Sequence, residues 1–147
     1  MKFVRGPVML VIAAVVALNI GACSSISTFS QYAYEQAVSL KVESLNLMDK
    51  ATEEYSANKD IVEDLKTKLQ KSYEYSKGRP KNDISTKQWE ILISPDRNLL
   101  GGFLKRWESK NTLSRAFIDD AKGLVGDAFD TIIGLESGKI KSSEVNQ

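Results

Sequence analysis

The sequence predicts an all-α fold, a long N-terminal helical arm packed on a C-terminal helix as an elongated hairpin or a small helical bundle. Three observations carry this expectation. Neither proline nor glycine occurs between Gly21 and Gly78. From Gln31 onward the chain is rich in Ala, Glu, Gln, Leu, Lys and Met, all good helix formers. Its apolar residues recur mostly at steps of three or four, the period of a helix face, while strand signals are scarce.

Ser27 or Thr28 is expected to cap the first helix. Its stripe runs Tyr34, Val38, Val42, Leu45, Met48 and Tyr55, and after the polar residues 56–60 it resumes at Ile61, Val62, Leu65, Leu69 and Tyr73. This spacing predicts one helix over residues 31–77 or two coaxial helices broken near Asn58. A single helix of that length would span about 70 Å, more than an ordinary domain of this size, so the arm must fold back or break. Gly78 and Pro80 then stop it.

Residues 78–85 read as a loop, and a short helix over residues 86–93 places Trp89 and Ile93 on one side. Ser94-Pro95-Asp96 has the form of a helix start, with a capping serine, a proline at the first position and an acid suited to the dipole. Leu99, Leu100, Phe103, Leu104 and Trp107 form the face of that helix, and Gly101-Gly102 permits a kink or a close crossing. Asn111 or Thr112 is expected to cap the last helix. Its stripe is Leu113, Phe117, Ala121, Leu124, Ala128, Ile132 and Leu135, broadened by Phe129 and Ile133. Gly123 and Gly126 would leave room for another backbone. Gly138 ends the helix, and residues 139–147 form a polar tail expected to fray. Residues 31–138 thus make a single domain.

The first residues have a different character. Lys2 and Arg5 precede an apolar run over residues 8–18, which is short for a membrane-spanning helix. Small residues Gly21 and Ala22 follow, and then Cys23, the only cysteine. The stretch resembles the type II signal peptide of bacterial lipoproteins, with Ile20-Gly21-Ala22-Cys23 as the lipobox and Ile where Leu is more usual. The resemblance implies removal of residues 1–22 and acylation of Cys23, with residues 23–30 as a lipidated linker. Ser24 is the residue type that implies outer-membrane sorting in a Gram-negative host, with the body facing the periplasm. Each buried methylene contributes about 0.8 kcal/mol, so two or three chains hold what one holds only marginally.

Loss of Lys2 and Arg5 leaves eighteen basic against nineteen acidic residues, a charge of −1 that gives no reason to expect a nucleic-acid partner. The absence of histidine and the single cysteine exclude Cys-His and Ser-His-Asp catalysis and zinc sites of the His and Cys types. No phosphate-binding loop is present. The pairs Glu53-Glu54, Glu63-Asp64 and Asp119-Asp120 lie among lysines and read as solvated faces. Asp127 and Asp130, one turn apart, lack an oxygen-rich loop. No catalytic residue, metal ligand or cofactor is expected.

Residues 78–111 carry seven basic residues against four acids, and both tryptophans. Trp89, Lys105, Arg106 and Trp107 are therefore candidate contacts for an acidic partner, a glycan or lipid headgroups. Tyr32 and Tyr75 fall off the apolar stripe and are candidate contacts too. The expected function is a non-enzymatic envelope lipoprotein that binds a protein partner or self-associates. The alternatives are an exclusion or immunity-type lipoprotein that blocks a toxin, phage or conjugation partner, and a peptidoglycan- or glycan-binding module.

Overall fold

A computed structural model describes residues 27–145 of the chain. Cys23 and the lipobox lie outside the described residues. The described residues form an all-α bundle of five α-helices: α1 (Gln31–Asp49), α2 (Tyr55–Lys77), α3 (Asp83–Ile93), α4 (Leu100–Lys110) and α5 (Arg115–Ser137). The helices make four antiparallel arms, because α3 and α4 together form the third. Helix α1 packs most extensively on α5, as the sequence predicts. Between the poles, Lys68 of α2 bonds Glu43 of α1 at 2.6 Å, and Lys41 of α1 bonds Asp130 of α5 at 2.6 Å. No helix among the described residues is long and apolar enough to cross a membrane.

The N-terminal arm is a folded hairpin, not two coaxial helices, and its break precedes Asn58. The chain turns at residues 50–54 without glycine or proline. Tertiary hydrogen bonds hold this turn: the Leu113 amide donates to the Ala51 carbonyl at 2.8 Å, and the Tyr55 amide donates to the Asn111 carbonyl at 2.8 Å. Asn58 is buried just inside α2, and its amide nitrogen donates to the Glu53 carboxylate at 3.1 Å. The cap of α1 is Ser30, whose hydroxyl accepts the Ala33 amide, not Ser27 or Thr28.

The buried stripe of α1 is also displaced from the expected one. Ala33, Ala37, Leu40, Ser44, Leu47 and Met48 face the core, whereas Val38 and Val42 are exposed. On α2, Val62, Leu65 and Leu69 are buried and Ile61 is exposed. Two alanines and a serine are among the inward-facing residues of α1, and small side chains allow helices to approach closely.

Ser94-Pro95-Asp96 ends α3; it does not start α4. The Ser94 amide donates to the Glu90 carbonyl, closing α3, and α4 begins only at Leu100. The intervening backbone folds tightly onto the next helix. A Cβ on Gly101 would overlap the Ile93 carbonyl, and one on Gly102 would overlap the Arg97 carbonyl. The expected close crossing at this pair is present. Ser114, not Asn111 or Thr112, caps α5, and its hydroxyl accepts the Phe117 amide at 3.4 Å. Asn111 instead terminates α4 with φ +63°.

Along α5 the core residues are Ile118, Val125, Phe129 and Ile132, while Leu124 is exposed and Phe117 only partly buried. Gly123 and Gly126 have nothing within 4 Å of a Cβ position, so no backbone approaches them. Gly134 receives a neighbour instead, the side chain of Ile140. The chain reverses at Gly138 with φ +72°, and the Ile140 amide donates to the Gly134 carbonyl at 3.0 Å. The start of the tail is thus docked on the bundle. A single continuous core links all five helices, from Ala37 and Leu69 through Trp89, Trp107 and Phe129.

Candidate functional site

Two surface regions gather the contact residues expected from the sequence. The first is at the pole where the described chain enters. The antiparallel pairing of α1 and α2 brings the start of one beside the end of the other. Tyr32 and Tyr75 therefore meet edge to face with ring centroids 4.8 Å apart. They remain 54% and 41% exposed. The Tyr75 hydroxyl lies 3.1 Å from the Ser30 hydroxyl. Phe29, which sequence reasoning did not single out, lies at the same pole with its ring 6.4 Å from that of Tyr34 and is 63% exposed. Its signal in the sequence was an aromatic residue in a serine-rich linker.

Beneath these rings is a buried polar network. Arg79 pairs with Glu136 of α5, a carboxylate whose side chain is 2% exposed. Ser85 of α3 donates to the other oxygen of the same carboxylate. Asn82 donates to the Ser76 carbonyl and hydroxyl at 3.1 and 2.8 Å, and Ser76 is 3.0 Å from the Thr86 hydroxyl. Arg79 also reaches outward: its second terminal nitrogen donates to the Thr28 carbonyl at 2.6 Å, and the guanidinium lies 6.0 Å from the Tyr75 ring centroid. One arginine therefore joins α5, the loop after α2 and the chain leading into α1.

The second region is the opening between α4 and α5 in the other half of the bundle. Helix α4 packs on α2 and α3 more than on α5. The result is a groove of about 710 Å³ lined by Arg97, Lys105, Arg106 and Lys110 with apolar Phe117 and Leu124. Lys105 bonds Asp96 at 3.0 Å across exposed surface. The Arg106 guanidinium covers the Phe117 ring at 4.5 Å, and Phe117 stacks in turn on Phe103 at 6.0 Å. Asp120 also lines this groove. Lys105 and Arg106 are thus exposed together, as the sequence suggests.

The tryptophans are elsewhere. Trp89 is 3% exposed and meets Phe129 edge-on at 5.9 Å. Trp107 is fully buried, edge-on to Tyr55 at 5.6 Å, and its indole nitrogen donates to the Glu53 carbonyl at 3.1 Å. Both indoles are core residues, and neither is placed to stack on a sugar ring. The line of Trp107 with Leu100, Phe103 and Leu104 was the sequence signal for its burial.

Several ionisable groups are shifted by their neighbours. The hydrogen bond from Lys122, at 2.6 Å, holds the Asp49 carboxyl below its ordinary range, and Arg115 adds to this. Hydrogen bonds to Asp64 and Glu43 raise Lys68. Burial raises Tyr55, whose hydroxyl has no hydrogen-bond partner. Among the described residues, no three carboxylates or other ligating side chains are grouped so as to hold a metal ion. Compared with known protein families, curated proteins and solved structures, the chain matches none of them.

Proposed function

We propose that the protein is a non-enzymatic lipoprotein of the cell envelope, tethered through acylated Cys23, whose bundle binds a protein partner. The observation that carries the binding reading is the groove between α4 and α5. Four cations, Arg97, Lys105, Arg106 and Lys110, line it beside apolar Phe117 and Leu124. Such a surface suits an amphipathic partner segment whose apolar side meets Phe117 and Leu124 and whose carboxylates meet the cations. A histidine-free chain with one cysteine agrees with binding in place of catalysis.

The test is copurification from detergent-solubilised membranes. The wild-type protein should bring down a defined envelope protein, and Arg106→Glu with Lys110→Glu should lose it while keeping the far-UV circular dichroism. Both residues are exposed, so the fold should tolerate the change. A partner retained in full by the doubly reversed variant would overturn the groove assignment. Cys23→Ala should release the chain from membranes or leave the precursor uncleaved; normal processing with unchanged membrane retention would overturn the tether.

A further inference from the structure

Among the described residues, the exposed large apolar side chains divide by type. Phe29, Tyr32 and Tyr75 are aromatic and share one pole; Val38, Val42, Ile61 and Leu124 are aliphatic and lie along the arms. Aromatic rings with an apolar body and a polar tip are the residues that settle at a membrane–water interface. Exposed Lys77 and Lys81 flank the rings from the end of α2 and the following loop, and Lys139 and Lys141 do so from the end of α5. The carboxylates of this pole are Glu35, which accepts from Gln31 at 2.8 Å; Glu74, 3.9 Å from Lys77; Asp83; Glu144, which accepts the Lys141 amide; and Glu136, which is occupied by Arg79 and Ser85. The charges of the pole balance, and long lysine side chains at the rim of an aromatic patch can still extend to phosphate headgroups.

Chain length supports the same orientation. From Cys23 to Phe29 is six residues, a reach of at most about 20 Å when fully extended. Arg79 fastens the Thr28 carbonyl to this pole, so the linker leaves the body there and nowhere else. We infer that the pole bearing Phe29, Tyr32 and Tyr75 rests on the anionic headgroup layer of the bilayer that holds Cys23. The inference deepens the lipoprotein reading and rests on it. It adds an orientation: the long axis stands away from the membrane, and the α4–α5 groove is held on the distal half.

The test uses the mature protein extracted from membranes and reconstituted in phosphatidylethanolamine–phosphatidylglycerol vesicles. A single thiol for a spin label is introduced at Gln31, beside Tyr32, or at Thr112, in the opposite turn. An acylated Cys23 cannot take the label, so one label per chain, together with the mass of the N-terminal peptide, reports the tether separately. The Gln31→Cys label should lose most of its collisions with a water-soluble nickel chelate and gain collisions with oxygen. The Thr112→Cys label should remain fully aqueous. Adding Phe29→Ser and Tyr32→Ser, both at exposed positions, should return the first label to the aqueous value with no change in helix content. Equal aqueous exposure of the two labels on an acylated chain would overturn the orientation and leave the tether standing. Two labels per chain would overturn both. Spin–spin broadening between Gln31→Cys labels would assign the pole to a second copy of the chain, which also overturns the inference.

Discussion

Glu136 anchors the buried polar network at the pole of Tyr32 and Tyr75. Its carboxylate is buried, takes both Arg79 and Ser85, and through Arg79 is connected to Thr28. Removing one partner of a buried ion pair leaves the other charge uncompensated, so Glu136→Ala should lower stability by about 3 kcal/mol or more in urea unfolding. Glu136→Gln retains an acceptor for Ser85 and should cost less. Asp49 has the opposite setting, at half-exposed surface between Lys122 and Arg115. Its carboxyl titrates below the ordinary 3.8 in the folded state. The stabilisation is therefore complete above that value and disappears as pH falls through the depressed one. Asp49→Asn should destabilise the protein at pH 7, and that difference should shrink as pH falls below the ordinary carboxylate range, measured as the difference in unfolding free energy between the two proteins. A difference that persisted unchanged in acid would show that the side chain acts by packing and not by charge.

At the level of the helix, glycines separate into two kinds. Gly101 and Gly102 lie where preceding carbonyls leave no space, so Gly101→Ala should cost about 1–3 kcal/mol through forced backbone displacement. Gly123 and Gly126 face open space within a regular helix. Gly126→Ala should instead raise stability by about 0.5–1 kcal/mol, because alanine loses less backbone entropy. Thermal unfolding of the two variants should move in opposite directions. Sequence reasoning treated both glycine pairs as places of close approach, and only tertiary contacts distinguish them. The same limit explains the stripe of α1. Hydrophobicity selects Val38 and Val42 over Ala37 and Ser44, but the face that packs into the bundle carries the small side chains. The turn at residues 50–54 has no breaker because Leu113 and Tyr55 supply its hydrogen bonds across the bundle. By contrast the helical face from Leu100 to Trp107 was legible, since its period and its content agree. Tyr32 and Tyr75 were legible individually as residues off the stripe. Their meeting required the hairpin, and the cation-lined groove required the looser seat of α4 against α5.

Across the whole molecule, one core joins the two poles. Trp89 packs with Phe129 toward the pole of Tyr32, and Trp107 packs with Tyr55 toward the opposite turn. If that core unfolds as a unit, the two indoles must report one transition. Urea titrations of Trp89→Phe and Trp107→Phe, each leaving a single tryptophan for selective excitation, should give transitions whose midpoints coincide with those from far-UV circular dichroism of the same variant. A fluorescence midpoint displaced from the circular dichroism midpoint would show that one half of the bundle melts alone. The midpoints of the two variants need not agree with each other, since each substitution carries its own cost.

The third arm makes the number of traverses even, and parity then decides where the two described ends emerge. Residue 27 and residue 145 come out on the same side. A reporter or affinity handle fused at the C-terminus therefore crowds the Phe29–Tyr32 end and obstructs whatever that end touches. The crossing point of Ala51 with Leu113 lies on the other side, about 30 Å away along α1. A small reporter attached at exposed Thr112 would project outward from there, clear of both described ends.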